Sequence, residues 1–158
     1  MTVVHLATGL AVVEGRVLLV ASRYPNHERP LWNLPGGRQQ AGELFTETVA
    51  REVLEETGLH ASVGAFAYLS ESYDGTVHYV NACFRIEVGS GSAFEIGFGR
   101  ENDHVVACEW VPLEELASRL VVAVVREPLL AYLRGELTQR YAGFHDAGIT
   151  IEWPPGSQ

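Results

Sequence analysis

Short apolar runs rich in β-branched residues occupy much of the chain and predict β-strands. Two pairs of such runs flank a short turn sequence, which is the pattern of a β-hairpin. The pairs are residues 6–13 and 16–21 around Glu14-Gly15, and residues 61–72 and 76–88 around Asp74-Gly75. Further strands are predicted over residues 31–34, 105–111 and 149–153.

A four-residue repeat of apolar positions predicts a helix over residues 43–57. Phe45, Val49 and Val53 would form its buried stripe. The segment opens with a carboxylate, which favours a helix N-terminus, and Gly58 follows its end, where glycine is the preferred residue. Both termini therefore agree with the periodicity.

Two shorter helices are predicted over residues 112–120 and 126–134, the first because Pro112 suits the first helical turn. Strands and helices are mixed without regular β-α-β alternation. This order predicts an α+β fold, in which a mixed sheet lies between helices as an α/β/α sandwich. A length of 158 residues suits one domain, over residues 1–140, with residues 141–158 as a tail packed on that domain or at an interface.

The composition is that of an ordinary globular protein, with 47% apolar and 20% charged residues. No apolar run approaches the roughly 18–20 residues that cross a bilayer, so a membrane partner is not expected. The N-terminus lacks a basic leading segment, and a signal peptide is not expected either. Cys83 and Cys108 lie in apolar runs and are predicted to be buried free thiols, which favours a reducing cytoplasm.

The formal net charge is −9, and the sequence shows no basic patch. A protein that grips a long nucleic acid usually carries such a patch, so long nucleic acid is not an expected partner. An acidic protein that handles phosphates usually offsets the repulsion with bound divalent cations. The charge therefore directs attention to clusters of carboxylates.

One such cluster lies on the first predicted helix, where Glu52, Glu55 and Glu56 are about one turn apart. With about 100° between successive residues, the three fall within an arc of about 100°. Arg51 can pair with neighbouring acids, but one cation does not neutralise this many. Three glutamates alone would more often be a solvated face. Together with the preceding Gly36-Gly37 turn they predict a cradle for Mg²⁺ and a diphosphate, because Mg²⁺ prefers carboxylate and phosphate oxygens.

Residues 37–59, GRQQAGELFTETVAREVLEETGL, hold these groups at a fixed spacing. The stretch is similar at every defined position to the Nudix box, G-x5-E-x7-R-E-U-x-E-E-x-G-U with U aliphatic. Residues 32–37 (WNLPGG) and 109–116 (EWVPLEEL) resemble the segments that lead into the box and that occur late in such domains. The chain is thereby identified as a member of the Nudix hydrolase family, with the likeness extending over residues 6–133.

The resemblance implies a Nudix fold and a hydrolase that uses Mg²⁺, or Mn²⁺ in its place, to cleave a diphosphate linkage. Water would attack a phosphorus of the bridge while a carboxylate takes its proton. Arg51 would hold the carboxylates in place, and Glu43 would support them without contacting the ion. The implied metal ligands are Glu52, Glu55, Glu56 and the backbone carbonyl of Gly36.

The resemblance leaves the general base open. Glu55 and Glu56 are candidates within the box. Glu101 and Asp103, on the segment before the strand predicted at residue 105, are alternatives as base or extra ligand. A solvated loop charge is an equally ordinary role for those two residues, and Glu95 is a weaker choice.

The box does not define the substrate, a nucleoside diphosphate linked to some group X. The chain lacks the proline that enzymes resembling the ADP-ribose group carry shortly after the box, and it lacks the signature of the NADH-cleaving group. By elimination it is most similar to the small nucleoside-triphosphate pyrophosphohydrolases. The alternatives are hydrolysis of ADP-ribose, nucleotide sugars, dinucleoside polyphosphates or RNA 5′ ends, and a non-catalytic nucleotide-binding module.

Candidate substrate contacts lie outside these acids. Aromatic side chains could stack on a base and arginines could steer phosphates, although packing in the core or on the surface is an ordinary role for each. The candidates are Arg23, Tyr24, Trp32, Arg38, Tyr73 and Tyr79. Nudix domains often dimerise, so a homodimer is possible, and Ile149, Ile151 and Trp153 of the tail could supply either an interface or an edge strand.

Overall fold

A computed structural model of the protein describes residues 2–89, 104–146 and 149–156. Within these ranges the chain forms nine β-strands and three α-helices. The strands are β1 (Thr2–Leu10), β2 (Val12–Val13), β3 (Arg16–Ser22), β4 (Leu31–Asn33), β5 (Gly36–Arg38), β6 (Ala61–Tyr73), β7 (Val77–Val88), β8 (Val105–Pro112) and β9 (Tyr141–His145). The helices are α1 (Phe45–Thr57), α2 (Leu116–Arg119) and α3 (Ala123–Leu133), and a 3₁₀ turn, Leu113–Glu115, precedes α2.

The larger sheet has five strands in the order β5-β1-β7-β6-β9. It is mixed, since β1 pairs in parallel with β7 and β9 in parallel with β6, whereas the other two pairings are antiparallel. Strands β6 and β7 form the predicted hairpin, in which Asp74 Oδ1 accepts hydrogen bonds from the N–H groups of Thr76 and Val77. Because this mixed sheet carries α1 on one face and α3 on the other, the predicted α+β fold is confirmed.

The smaller sheet is centred on β3, which pairs antiparallel with β2, β4 and β8. The first predicted hairpin is therefore only partly correct. Val12–Val13 turns back onto β3 around Glu14-Gly15, but residues 6–10 belong to β1 in the other sheet. All nine residues of β1 pair with β7, a distant partner that the neighbouring sequence does not reveal.

Two clusters of buried side chains hold the layers together. One lies between the two sheets and α3 and includes Leu10, Leu19 and Leu129. The other lies beneath α1, where Val49 and Val53 pack on the larger sheet. Both valines are fully buried, as the apolar stripe predicts. Burial of one such side chain contributes about 1.5–3 kcal/mol, so α1 is firmly fixed to the sheet.

Helix α1 begins at Phe45, later than predicted, because Glu43 lies in the turn that precedes it. The backbone of Leu44 is extended, and its N–H donates to Glu47 Oε1 at 2.9 Å, which satisfies one of the donors exposed at a helix N-terminus. At the other end Gly58 adopts a left-handed φ of 76° and its N–H closes the last turn, as the sequence predicts.

The C-terminal part departs most from the expectations. Instead of one helix over residues 112–120, a 3₁₀ turn precedes the one-turn α2. Helix α3 begins at Ala123, three residues before the predicted start. The sequence did not reveal this start, because β-branched valines in its first turn locally favour a strand. Strand β9 adds to the edge of the larger sheet where no strand was predicted. The strand predicted over residues 149–153 was wrong, since the described part of that segment forms only a bridge between Val122 and Ile151.

The two cysteines are free thiols. Cys83, on β7, is buried as predicted, whereas Cys108, on β8, is only partly buried. Burial raises the pKa of both thiols to about 11, so neither is a thiolate at neutral pH. Over the described ranges, no helix has the length and apolar content needed to cross a membrane.

Candidate active site

The acidic residues of α1 face the short strand β5. Pairing of β5 with β1 holds Gly36 and Gly37 beside the helix. A Cβ atom on Gly36 would lie 2.2 Å from the carbonyl oxygen of Ala7, and one on Gly37 would lie 2.6 Å from Cδ of Glu52. Glycine is therefore required at position 36, where the nearest atoms are backbone, and at Gly37 the β5 backbone is in direct contact with a carboxylate.

The guanidinium of Arg51 joins three of the carboxylates. Its Nε and Nη2 atoms donate to the two oxygens of Glu43, at 2.7 and 3.1 Å. Its Nη1 donates to Glu52 at 3.0 Å and to Glu55 at 3.2 Å. Nη2 also donates to the carbonyl of Arg38 at 3.1 Å. One side chain therefore offsets much of the repulsion among these acids that the sequence predicts.

Glu43 is held by several donors in the turn before α1. Besides Arg51, its carboxylate accepts the N–H of Gln40 at 2.8 Å and the hydroxyl of Thr48 at 3.0 Å. The hydrogen bonds from Arg51, and then that from Gln40, hold the pKa of Glu43 at about 2. Glu43 is therefore ionised at neutral pH and fixes the guanidinium in place.

Glu56 is the buried member of the set, with 3% of its surface exposed. Its Oε1 accepts the N–H of Gly36 at 2.7 Å, which fixes the carboxylate against β5. Burial, followed by the negative charge of Glu56, raises the pKa of the Tyr24 hydroxyl. Burial also raises the pKa of Glu52, although the hydrogen bond from Arg51 opposes it. The helical acids thus differ in environment.

The donor set suits a hard divalent cation. Three glutamates and a backbone carbonyl of β5 would offer oxygen ligands, which Mg²⁺ prefers. Glu52 and Glu56 both lie against β5, and Glu52 and Glu55 share one nitrogen of Arg51. Among the residues with described positions, no three His, Cys, Asp or Glu side chains are arranged so that they could hold a metal ion by themselves. The arrangement fits a cation that completes its shell with water and substrate phosphates, as Mg²⁺ usually does.

A cleft of about 670 Å³ opens beside this cluster. Its floor is formed by β1, β6 and β7, and its sides by residues 24–27 with β4 and by α3 with the tail. Thr8 lines the cleft and pairs with Gly36 of β5, so the cleft lies next to the strand that the acids face, although none of the α1 glutamates is among its described lining residues. The described lining includes Glu71 and Asp74 but no lysine or arginine. The cleft therefore suits an uncharged group better than a second phosphorylated one.

The substrate contacts proposed from the sequence fall into two sets. Those that line the cleft are Tyr24, Trp32 and Tyr79. Those that are not part of its lining are Arg23, Arg38 and Tyr73. The hydroxyl of Tyr73 donates instead to the carbonyl of Gly75 at 2.9 Å. The candidates for base or extra ligand on the preceding loop, Glu95, Glu101 and Asp103, lie outside the described residues.

Sequence reasoning missed cleft residues that come from distant segments. Thr8 on β1 and Asn81 on β7 line the floor, and the Thr8 hydroxyl donates to Asn81 Oδ1 at 3.3 Å. Their signal in the sequence is a polar residue within an otherwise apolar strand. Ile149 and Ile151 line the cleft from the tail, and nothing in the local pattern separates them from ordinary strand residues.

The comparisons with known proteins all point to one family. The NUDIX domain model matches residues 3–133. The chain is 31% identical to the putative mutator protein MutT4 of Mycobacterium tuberculosis, over 99% of this chain and 64% of that protein. It is 30% identical to nucleoside diphosphate-linked moiety X motif 6 of Xenopus laevis, over 89% of this chain and 62% of that protein. The chain thus spans slightly less than two thirds of each of these relatives.

Other comparisons cover more of the matched protein. Phosphatase NudJ of Escherichia coli is 31% identical over 87% of this chain and 86% of its own length. The MutT protein from Methanosarcina mazei Go1 superposes with a TM-score of 0.69 at 25% identity, over 85% of this chain and 95% of that one. A UDP-X diphosphatase superposes with a TM-score of 0.66 at 19% identity, over 90% and 68%, which shows a likeness of fold.

Proposed function

Because the chain belongs to the Nudix family, we propose that it is a Mg²⁺-dependent pyrophosphohydrolase that cleaves the diphosphate linkage of a nucleotide. The observation that carries the proposal is the cluster around Arg51. Carboxylates from one helix are held side by side against the glycines of β5, near a cleft of nucleotide size. Oxygen donors and a cleft large enough for a nucleotide thus lie near each other, joined through the pairing of Thr8 with Gly36.

The residues of the cluster divide into ligands and supports in this proposal. Arg51 orients the carboxylates through charge-assisted hydrogen bonds, and Glu43 fixes the guanidinium. When bound, Mg²⁺ or Mn²⁺ offsets the negative charge that develops on the phosphoryl oxygens. The ligands would be Glu52, Glu55, Glu56 and the carbonyl of Gly36.

The reaction is the addition of water across the diphosphate bridge. The water oxygen forms a bond to one phosphorus, the bond from that phosphorus to the bridging oxygen breaks, and a water proton passes to a carboxylate. Glu55 is our first candidate for this base, since its side chain is 25% exposed against 14% for Glu52. Glu56 is the second, with one oxygen already bound by an N–H group. Glu101 and Asp103 stay candidates.

We propose a nucleoside triphosphate or a related nucleotide as the substrate. Tyr24, Trp32 and Tyr79 offer aromatic faces on which a base can stack. The absence of cationic side chains from the described lining disfavours a second phosphorylated group there. ADP-ribose, a nucleotide sugar or a dinucleoside polyphosphate is the alternative class, because the residues of the Nudix box do not separate these substrates.

Charge and thiol state support proposals about the partner and the location of the protein. A net charge of −9 supports a small-molecule substrate rather than long nucleic acid. The two free thiols support a reducing, cytoplasmic location. A homodimer stays a prediction.

The test is product release from a nucleotide panel with Mg²⁺, for the wild type and for Glu52→Gln, Glu55→Gln and Glu56→Gln. A ligand variant is expected to need more Mg²⁺, whereas the base variant is expected to lose about 100-fold or more of kcat at saturating Mg²⁺. Glu114→Gln, on the exposed 3₁₀ turn, is the matched control. A wild type inert on every member would overturn the proposal, and nucleotide binding without turnover would instead indicate a binding module.

A further inference from the structure

The segment over residues 149–156 lies beyond the residues matched by the family model, yet it forms part of the cleft. Ile149 and Ile151 are half-buried and line it. They continue an apolar wall that begins in and just before α3. The other members of this wall are Val122, Val124, Val125 and Pro128.

Hydrogen bonds fix the segment to the start of α3. The N–H of Ala123 donates to the carbonyl of Thr150 at 3.1 Å, and the N–H of Glu152 donates to the carbonyl of Val121 at 2.8 Å. The guanidinium of Arg126 donates to the carboxylate of Glu152 at 2.6 Å. The wall is therefore attached through backbone and side-chain contacts on both sides of Ile151.

A second contact joins the segment to the loop between β3 and β4. The guanidinium carbon of Arg29 lies 3.8 Å from the centre of the Trp153 ring, which is a cation–π distance. Residues 24–27 of the same loop line the cleft. The tail thus connects two sides of the cleft.

Ile149 holds its place in a strained backbone conformation. Its φ is 61°, in the left-handed region that β-branched residues rarely adopt. Asp146 supports this conformation, since its carbonyl accepts the N–H of Ile149 at 3.1 Å and its carboxylate accepts the N–H of Thr150 at 2.7 Å. Strain of this kind persists where surrounding structure enforces it, and it is concentrated at functional sites.

We propose that Ile149 and Ile151 are specificity-determining residues that contact the uncharged part of the substrate, the nucleobase or its sugar. The inference rests on the proposed function and adds a source of selection outside the box. Branched aliphatic side chains make dispersion contacts but offer no hydrogen bonds. They therefore select the bound group by size and shape.

The first test compares the wild type with the double variant Ile149→Ala/Ile151→Ala on the four ribonucleoside triphosphates, ADP-ribose and UDP-glucose. We expect KM to rise by about 10-fold for the preferred substrates while kcat stays within about twofold, because the apolar wall recedes and the acids are untouched. Val3→Ala, an exposed apolar residue on β1 that does not line the cleft, is the control.

The second test separates binding from catalysis. Binding of AMP, GMP, CMP and UMP is measured by calorimetry for the same proteins. Weaker binding by the double variant supports the inference even if no panel member is hydrolysed. In that case the proposed hydrolase activity is wrong, but the role of the two isoleucines in binding still holds. Unchanged KM values and unchanged binding, or no binding of any mononucleotide by the wild type, would overturn the inference.

The third test uses Ile149→Gly, which removes the side chain and relieves the left-handed strain. We expect its Tm to equal or exceed that of the wild type while nucleotide binding weakens. A side chain that served only the fold would show the reverse, a lower Tm with unchanged binding, and that result would also overturn the inference.

Discussion

Gly36 and Gly37 are adjacent, but a side chain on each would meet different neighbours. A Cβ on Gly36 would strike the backbone of β1, which cannot yield without separating β5 from β1. A Cβ on Gly37 would strike the carboxylate of Glu52, which can rotate away. The first glycine therefore serves mainly the fold, and the second serves the position of one acid.

Gly37→Ala is expected to give a folded protein with about 10–100-fold lower kcat/KM, because a displacement of about 1 Å in a group at the reaction centre has an effect of this size. The measurement is nucleotide hydrolysis together with Tm. Gly89→Ala is the control, since a Cβ there meets nothing within 4 Å. Equal activity in the two variants would contradict this account of Gly37.

The lowered pKa of Glu43 makes a prediction about pH. Its value is about 2 in the folded protein against 4.5 ordinarily, so the ionised carboxylate contributes stability above pH 4.5 that is lost as the pH falls toward 2. Glu43→Gln is expected to lower the free energy of unfolding at pH 7. The difference from the wild type should shrink between pH 4.5 and pH 2.

Urea denaturation at several pH values measures this difference. Glu136→Gln, an exposed acid after α3, controls for the loss of one charge. A deficit in Glu43→Gln that is the same at every pH would mean that the pairing with Arg51 does not lower the pKa of Glu43.

At the scale of elements, α1 has one apolar and one acidic face. Val49 and Val53 pack on the larger sheet, while Arg51 and the glutamates turn toward β5. The guanidinium also bonds to Glu43 and to the carbonyl of Arg38, which lie outside the helix. A rigid element therefore carries the acids, and a single side chain ties it to the loop before it.

Arg51→Lys is expected to lower kcat/KM by about 10–100-fold although the charge is kept. A lysine ammonium is a single point charge and cannot repeat the fork of contacts to Glu43, Glu52 and Glu55. The measurement is hydrolysis as a function of Mg²⁺ concentration. The control is Arg140→Lys, because the Arg140 guanidinium donates a hydrogen bond to one backbone carbonyl, that of Phe66. Full activity in Arg51→Lys would show that charge alone suffices.

Elements whose signals are local were predictable from the sequence. The β6–β7 hairpin depends on Asp74-Gly75, and α1 depends on its own apolar stripe. Elements whose partners are distant were not. Strand β1 separates from β2 because it pairs with β7, and β9 forms because β6 offers a free edge.

The candidate site divides in the same way. Spacing within one helix was enough to predict that Glu52 and Glu55 are neighbours. The balance of charge was not predictable, because Glu43 was assigned to the helix and its pairing with Arg51 across the turn was missed. The cleft is assembled from several segments, and Ile149 enters it through a left-handed turn that the local pattern does not show.

At the scale of the molecule, the cleft lies where the larger sheet, β4, α3 and the tail meet. The acids lie beside it, and the whole chain carries a net charge of −9. A divalent cation bound among these acids stabilises only the folded state, since the cluster depends on β5 and α1 being packed together.

Mg²⁺ is therefore expected to raise Tm. At a concentration of about 100 Kd the stabilisation is about 2.7 kcal/mol, which corresponds to about 5–10 °C for a domain of this size. Glu52→Gln and Glu56→Gln should reduce the shift, and Glu114→Gln should not. Differential scanning calorimetry with and without Mg²⁺ measures it. An undiminished shift in the first two variants would place the bound ion elsewhere.

The bonds from Arg51 and from the Gly36 N–H to the helical acids have a consequence for the life of the protein in a cell. The counter-charge is part of the chain, so we expect a newly made molecule to fold without first binding an ion. A shortage of magnesium would then leave an intact, idle protein rather than an unfolded one marked for proteolysis. Restoring Mg²⁺ would then restore the activity of the existing protein molecules without new synthesis.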